Sequence, residues 1–149
     1  MKIRPAREDE LDALSALCLR SKALWGYDKD FMERCRAVLT LQPEELRTSR
    51  VMVAERKGAV LGVVQLMLLA DRAELYKLFV EPAAKGEGIG AALYAWAAET
   101  AKAEGAACLM IEADPDAVPF YRSRGAREEG SVASEVQPDR RLPLLRHRL

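Results

Sequence analysis

Three glycines at alternate positions, Gly86, Gly88 and Gly90, follow Lys85 directly and lie between a β-rich run and a long alanine-rich run. Lacking Cβ atoms, such a segment can turn several backbone N–H groups toward one point. Where a helix begins, its first-turn amides are unpaired and its dipole is positive. The combination describes a site for a phosphate or similar anion, with Lys85 as a neutralising charge. A plain flexible turn is the alternative. A Walker A loop is excluded, because Lys85 precedes the glycines and no Gly-Lys-Ser/Thr occurs. The dinucleotide pattern G-x-G-x-x-A is met by Gly86, Gly88 and Ala91, with the acidic Glu112 about 20 residues further on. Against a Rossmann-like NAD-binding unit, Glu81-Pro82-Ala83-Ala84-Lys85 separates the preceding strand from the glycines, and several elements come earlier in the chain.

Other chemistries are poorly supplied. The only histidine is His147, which argues against Ser-His-Asp and Cys-His nucleophilic plans. Cys18, Cys35 and Cys108 lie far apart and form no C-x-x-C pair, so neither a disulfide framework nor a zinc site is expected. No metal is assigned. Lys plus Arg and Asp plus Glu number 23 each, which gives no bulk attraction to nucleic acid or to a membrane surface. The longest apolar stretch, residues 59–70, falls short of the roughly 20 residues a membrane span needs. Met1 to Glu10 is highly charged and lacks the apolar core of a signal peptide. A cytoplasmic protein is the expectation.

The elements that must position the glycine loop can be read from pattern. With 149 residues, 50% hydrophobic and 31% charged, the chain suits a single domain over 1–149 with its own core. Lys2 to Arg4 reads as a first strand. Leu11, Leu14, Leu17 and Cys18 mark one face of a helix, and Phe31, Cys35, Val38 and Leu39 mark a second helix over about 30–39. Strands follow at 51–55, 60–69 and 75–80, joined by short turns at Lys57-Gly58 and Asp71-Arg72, which make an antiparallel meander. Residues 89–104 form a long helix with Ile89, Leu93, Trp96 and Ala97 on one stripe, ended by Gly105. A buried strand at 108–111, opened by Cys108, is followed by a short helix at 117–124 and a closing strand within 136–149. The strand–helix–strand unit from 75 to 111 requires a parallel pair. The class is therefore α+β: a mixed, mostly antiparallel sheet with one central parallel strand pair and helices on both faces.

The segment from Leu78 to Gly90, LFVEPAAKGEGIG, resembles the acyl-CoA signature of the GNAT N-acetyltransferase superfamily, Arg/Gln-x-x-Gly-x-Gly/Ala on a strand-to-helix turn. Ala117 to Ala126, AVPFYRSRGA, is similar to the A-x-x-F-Y-x-x-x-G-F segment of that superfamily, and Ile3-Arg4-Pro5-Ala6 to its opening. The chain departs from the pattern at Lys85, which keeps charge but lacks the fork of arginine, and at Asp116, where many relatives have Asn.

The resemblance implies transfer of acetyl from acetyl-CoA to a primary amine of a small molecule or peptide, by direct attack in a ternary complex. Gly86, Gly88, Ile89 and Gly90 would give amides to the pyrophosphate. Phe79 and Val80 would pair with pantetheine, and a backbone N–H of Leu78 or Phe79 would hold the oxyanion. Tyr121 matches the tyrosine that protonates the departing thiolate; the alternative is a tyrosine that only packs its helix. Asp116 contacts the cofactor or, as the residue ahead of Ala117, caps the helix; the cap is preferred. Glu74 and Glu112 are the candidate bases for the attacking amine, with solvated carboxylates as the alternative. Trp25 and Tyr27, between the first two helices, would line the acceptor pocket or simply pack. The arginines Arg140, Arg141, Arg146 and Arg148 could attract an acidic acceptor or form a solvated edge. Strand edges and the tail leave a homodimer open. A non-catalytic acyl-CoA-binding module is the competing functional reading.

Overall fold

The spacing of apolar residues in the first half of the chain is realised as two helices packed on one sheet face. Leu11, Leu14, Leu17 and Cys18 are all buried along α1 (Leu11–Ala23). In α2 (Lys29–Leu39), Asp28 caps the first turn by accepting from the Phe31 N–H, and Phe31, Cys35 and Leu39 point inward. Val38, expected on that face, is 37% exposed, because the buried positions advance by four residues and leave it to one side. The computed structural model describes residues 1–149.

The strands are β1 (Lys2–Pro5), β2 (Arg50–Arg56), β3 (Ala59–Leu68), β4 (Ala73–Val80), β5 (Cys108–Glu112), β6 (Arg127–Ala133) and β7 (Arg141–Arg148). They form one sheet in the order β1-β2-β3-β4-β5-β7-β6, antiparallel throughout except for the parallel pair β4–β5. The remaining helices are α3 (Glu45–Thr48), α4 (Ile89–Ala103) and α5 (Val118–Ser123). Alternation along β3 divides two cores. Val63 packs with Val51 and Val53 against α1 and α2, whereas Val64 and Leu66 pack against α4. Gly62 lets α4 sit close, since a Cβ there would fall 2.8 Å from Leu93 Cδ1. This mostly antiparallel topology excludes the Rossmann-like reading, which needs a parallel doubly wound sheet.

Two irregularities of β4 shape the middle of the sheet. Its register against β3 runs Gln65 with Lys77 and then Leu66 with Leu75, so Tyr76 is an extra, bulged residue. The bulge reverses the inward faces on either side of it. Leu75 belongs to the α4 core, while Lys77 turns toward α1 and α3, where its ammonium donates to Gln65 Oε1 at 3.1 Å. Second, β4 pairs with β5 only from Ala73–Leu109 to Leu75–Ile111. Beyond that the strands separate, and residues 76–80 of β4 have no neighbour on that edge.

The second half departs from expectation in three places. β6 was not anticipated, and the closing strand is confined to β7; residues 134–140 are the loop between them. β6 reads Arg-Glu-Glu-Gly-Ser-Val-Ala and is exposed almost throughout, so as an edge strand it shows no apolar alternation to detect. On α4 the buried stripe is Ile89, Leu93, Tyr94, Ala97 and Ala101, with Trp96 displaced to its margin. Cys108 is half-buried rather than a core residue; its thiol lies 3.8 Å from Met110 Sδ, and the deeply buried cysteines are Cys18 and Cys35. No helix is long and apolar enough to cross a membrane.

Candidate active site

The separation of β4 from β5 opens two adjoining cavities, of about 540 and 570 Å3. The smaller one lies over the glycine turn. Gly86 and Gly88 have φ of +86° and +84°, left-handed conformations that L side chains resist. A Cβ on either would meet nothing within 4 Å, so conformation, not crowding, demands glycine. Gly88 is the N-cap of α4 and offers no side-chain cap. The first amide to bond back is that of Ala92, to the Gly88 carbonyl at 3.1 Å, so the N–H groups of Ile89, Gly90 and Ala91 open onto the cavity without an acceptor. Lys85 and Arg124 add positive charge to its wall, and Asp116 lies on the same wall. Glycines and helix start were thus placed as expected.

Backbone alternation refines the strand edge. The Glu81 N–H donates to the Leu61 carbonyl of β3 at 2.8 Å. Counting back along β4, the polar groups of Phe79 also face β3, whereas those of Leu78 and Val80 face the open edge. The expected backbone role of Phe79 therefore passes to its neighbours. Its side chain instead lines the larger cavity, and Leu78 borders both.

Tyr121 stands where the cavities meet and lines both, with Ser21, Trp25, Leu78 and Ala117. It is 8% exposed, and its hydroxyl has no hydrogen-bond partner yet is not sealed from the cavity. Tyr94 and Phe120 hold the ring, at centroid distances of 5.7 and 5.2 Å. Burial, reinforced by Tyr94 and Asp114, pushes the phenol well above its ordinary pKa and keeps it protonated.

The larger cavity has the faces of β4 and β5 as its floor, α1 and α2 as one wall and the 134–140 loop as another. Glu74 on β4 and Glu112 at the end of β5 both line it, as does Glu135 from the loop, a residue the sequence did not single out. Burial raises the Glu112 carboxyl above the ordinary range, and repulsion from Glu135 and Glu74 adds to this. Trp25 lines both cavities, with Lys85 Nζ 5.6 Å from its ring centroid. Tyr27, by contrast, lies behind the wall, with its ring 4.4 Å from that of Phe31.

The hydroxyl of Tyr27 donates to Asp114, the centre of a network that the sequence pattern does not reveal. Asp114 Oδ2 also accepts from Lys22 Nζ at 3.2 Å, and Arg140 donates to the Tyr27 hydroxyl at 2.6 Å. Burial opposes ionisation of Asp114, but the hydrogen bonds from Tyr27 and the Asp116 amide and the charge of Lys22 outweigh it and hold the carboxyl below its usual pKa. Tyr27 is pushed up to about 12, by burial first and Asp114 second. The cap expected of Asp116 is in fact made by Asp114, which accepts from the Asp116 N–H at 3.1 Å. The signal was present: Asp114-Pro115 is a cap residue followed by proline at the first helical position. Arg140, considered as part of a basic tail, is thus tied into the wall.

One carboxylate therefore joins α1, the α1–α2 loop, the 134–140 loop and the turn leading into α5. Asp114→Ala is expected to cost about 2–4 kcal/mol, because it strands two part-buried cations and a part-buried phenol together. Urea denaturation measures this. Lys22→Met should cost less, since Arg140 remains within 3.7 Å of the carboxylate.

The family model described as acetyltransferase (GNAT) family matches residues 16–126, well over half of the chain. Among solved structures, a GCN5-related N-acetyltransferase from Rhodopseudomonas palustris is similar with TM-score 0.84 and 18% identity, over 99% of this chain and 95% of that one. The PaiA N-acetyltransferase from Thermoplasma acidophilum, solved in complex with coenzyme A, gives TM-score 0.80 and 16% identity over 99% and 98%. A ribosomal-protein-alanine N-acetyltransferase from Brucella melitensis gives TM-score 0.70 and 26% identity over the full length of both chains. No curated protein matches the sequence.

Proposed function

The chain belongs to the acetyltransferase (GNAT) family, and from that premise we propose that it transfers an acetyl group from acetyl-CoA to a primary amine of a small molecule or peptide. The observation that carries this reading is the unpartnered hydroxyl of Tyr121 at the junction of the two cavities. Binding alone has no use for a buried donor there; departure of a thiolate does.

In this reading the pyrophosphate rests on the amides of Ile89, Gly90 and Ala91, with the dipole of α4 and Lys85 offsetting its charge. Pantetheine adds to the open edge of β4 as a strand would, through the backbone of Leu78 and Val80. The Leu78 N–H points toward the thioester carbonyl and steadies the charge that develops on its oxygen. The amine attacks the carbonyl carbon, the C–S bond breaks, the sulfur takes the Tyr121 proton, and the proton shed by the new amide nitrogen restores the phenol through water. The ammonium must first lose a proton. Glu112 is the favoured acceptor, directly or through water, because burial and its acidic neighbours raise its carboxyl above the ordinary range and so make it a stronger base; Glu74 lies beyond it.

The test is release of free thiol from acetyl-CoA against a panel of amines, with the product identified by its mass. Thiol release with an acetylated product supports the reading. Tight CoA binding without release for any amine would favour the non-catalytic module instead. The base makes a pH prediction. A carboxyl must be ionised to act, so kcat/KM rises with pH through the pKa of Glu112, and that limb lies above the ordinary value near 4.3. Glu112→Gln should remove the limb, leaving only titration of the substrate amine, and lower kcat/KM by roughly 10–100-fold.

A further inference from the structure

The proposed reaction needs one carboxylate, yet five line the acceptor-side cavity; Glu45 and Asp114 are matched by wall cations, which leaves Glu74, Glu112 and Glu135. They come from different elements: the start of β4, the end of β5 and the 134–140 loop. The cations on the same walls are already engaged. Lys22 and Arg140 share Asp114, and Lys77 bonds to Gln65 with Glu45 at 4.0 Å. Glu74 has Arg72 Nε at 3.4 Å and accepts from the Tyr76 hydroxyl, also at 3.4 Å. The charges that reach Glu112 from its neighbours are both repulsive. Glu112 and Glu135 are exposed and Glu74 is half-buried, so their mutual repulsion is softened by water, and a cation entering among them relieves what remains. Independently of these carboxylates, Tyr121, a residue nine-tenths buried that lines the same cavity, carries a hydroxyl without a protein partner and marks where a ligand must reach.

Taking the acetyl-transfer reading as its basis, we propose that the acceptor is a diamine or longer polyamine: one nitrogen is acetylated beside Tyr121, while a second remains an ammonium held between Glu74 and Glu135. The spacing suits a flexible linker. Leu78 and Glu74 are four residues apart on β4, on the order of 13 Å less the contraction at the bulge. Glu112 lies between the two ends, where it can take a proton from the reacting nitrogen. The aliphatic chain between the nitrogens crosses the apolar floor and wall made by Phe79, Val38 and Leu142. An acceptor with a carboxylate at its far end would meet the glutamates and be repelled.

The experiment compares 1,5-diaminopentane, 1-aminopentane and 6-aminohexanoate in the thiol-release assay. The diamine should exceed the monoamine in kcat/KM on the order of tenfold or more, and the amino acid should fall below both. Glu135→Gln should shrink the diamine-to-monoamine ratio. Asp139→Asn, a charge change on the same loop outside the cavity, should leave that ratio in place. Equal rates for diamine and monoamine, or a ratio unmoved by Glu135→Gln, overturns the proposal while leaving acetyl transfer standing. Calorimetric titration of the same amines into protein saturated with coenzyme A reads the preference without turnover. Preferential diamine binding with no thiol release from any amine sustains the second-ammonium site and rejects the transfer reaction.

Discussion

Tyr121→Phe should lower kcat by about 10²–10⁴-fold while acetyl-CoA binds with unchanged affinity. The substitution removes one oxygen and keeps the ring, which Tyr94 and Phe120 hold in place. Because the hydroxyl has no protein partner, its loss strands no donor or acceptor, and the fold should be as stable as before. The effect is therefore confined to the step that uses the proton. A thiolate expelled into a site with little water has few other donors, and burial raises the sulfur and the phenol together, so the transfer between them stays near balance. Turnover by thiol release and affinity by calorimetry separate the two quantities. Unchanged turnover at equal affinity would assign the proton to water and leave Tyr121 a packing residue.

Gly88→Val should weaken coenzyme A binding by roughly 10²–10⁴-fold. At a φ of +84° a β-branched side chain is strained by about 1–2 kcal/mol, and the chain relieves this by turning out of the left-handed region. The turn then no longer aims the Ile89 and Gly90 amides at one point. Losing two hydrogen bonds to a charged group, each about 1.5–3 kcal/mol, gives the stated range. Gly105→Val supplies the comparison, since Gly105 has a φ of +89° just beyond the other end of α4. It should lower the melting temperature by a similar amount and leave coenzyme A affinity alone. Equal binding losses in both variants would mean that general destabilisation, rather than the amide cradle, is responsible.

Legibility in the sequence tracks physical scale. Short-range patterns were readable: the three- and four-residue spacing of Leu11, Leu14 and Leu17, the turn at Asp71-Arg72, and the density of glycines ahead of α4. The family match over residues 16–126 agrees with the resemblance read from the glycine turn and the Phe120-Tyr121 segment. Features set by tertiary context were not readable. β6 is a polar edge strand whose pairing with β7 leaves no periodic mark. Asp114 gains its importance from Lys22, Tyr27 and Arg140, which lie 92, 87 and 26 positions away and meet only in the folded chain. Glu135 sits in an irregular loop whose path no local preference dictates. The bulge at Tyr76 depends on a register between strands, so its reversal of Leu75 and Lys77 is invisible along the chain itself.

Ser21, Trp25, Leu78, Ala117 and Tyr121 form a common partition between two chambers. In the proposed reaction the thioester end of the donor would lie along this partition and would complete the wall beside which the acceptor lands. Occupancy of one side would then be felt on the other through a party wall, with no hinge or swinging lid required.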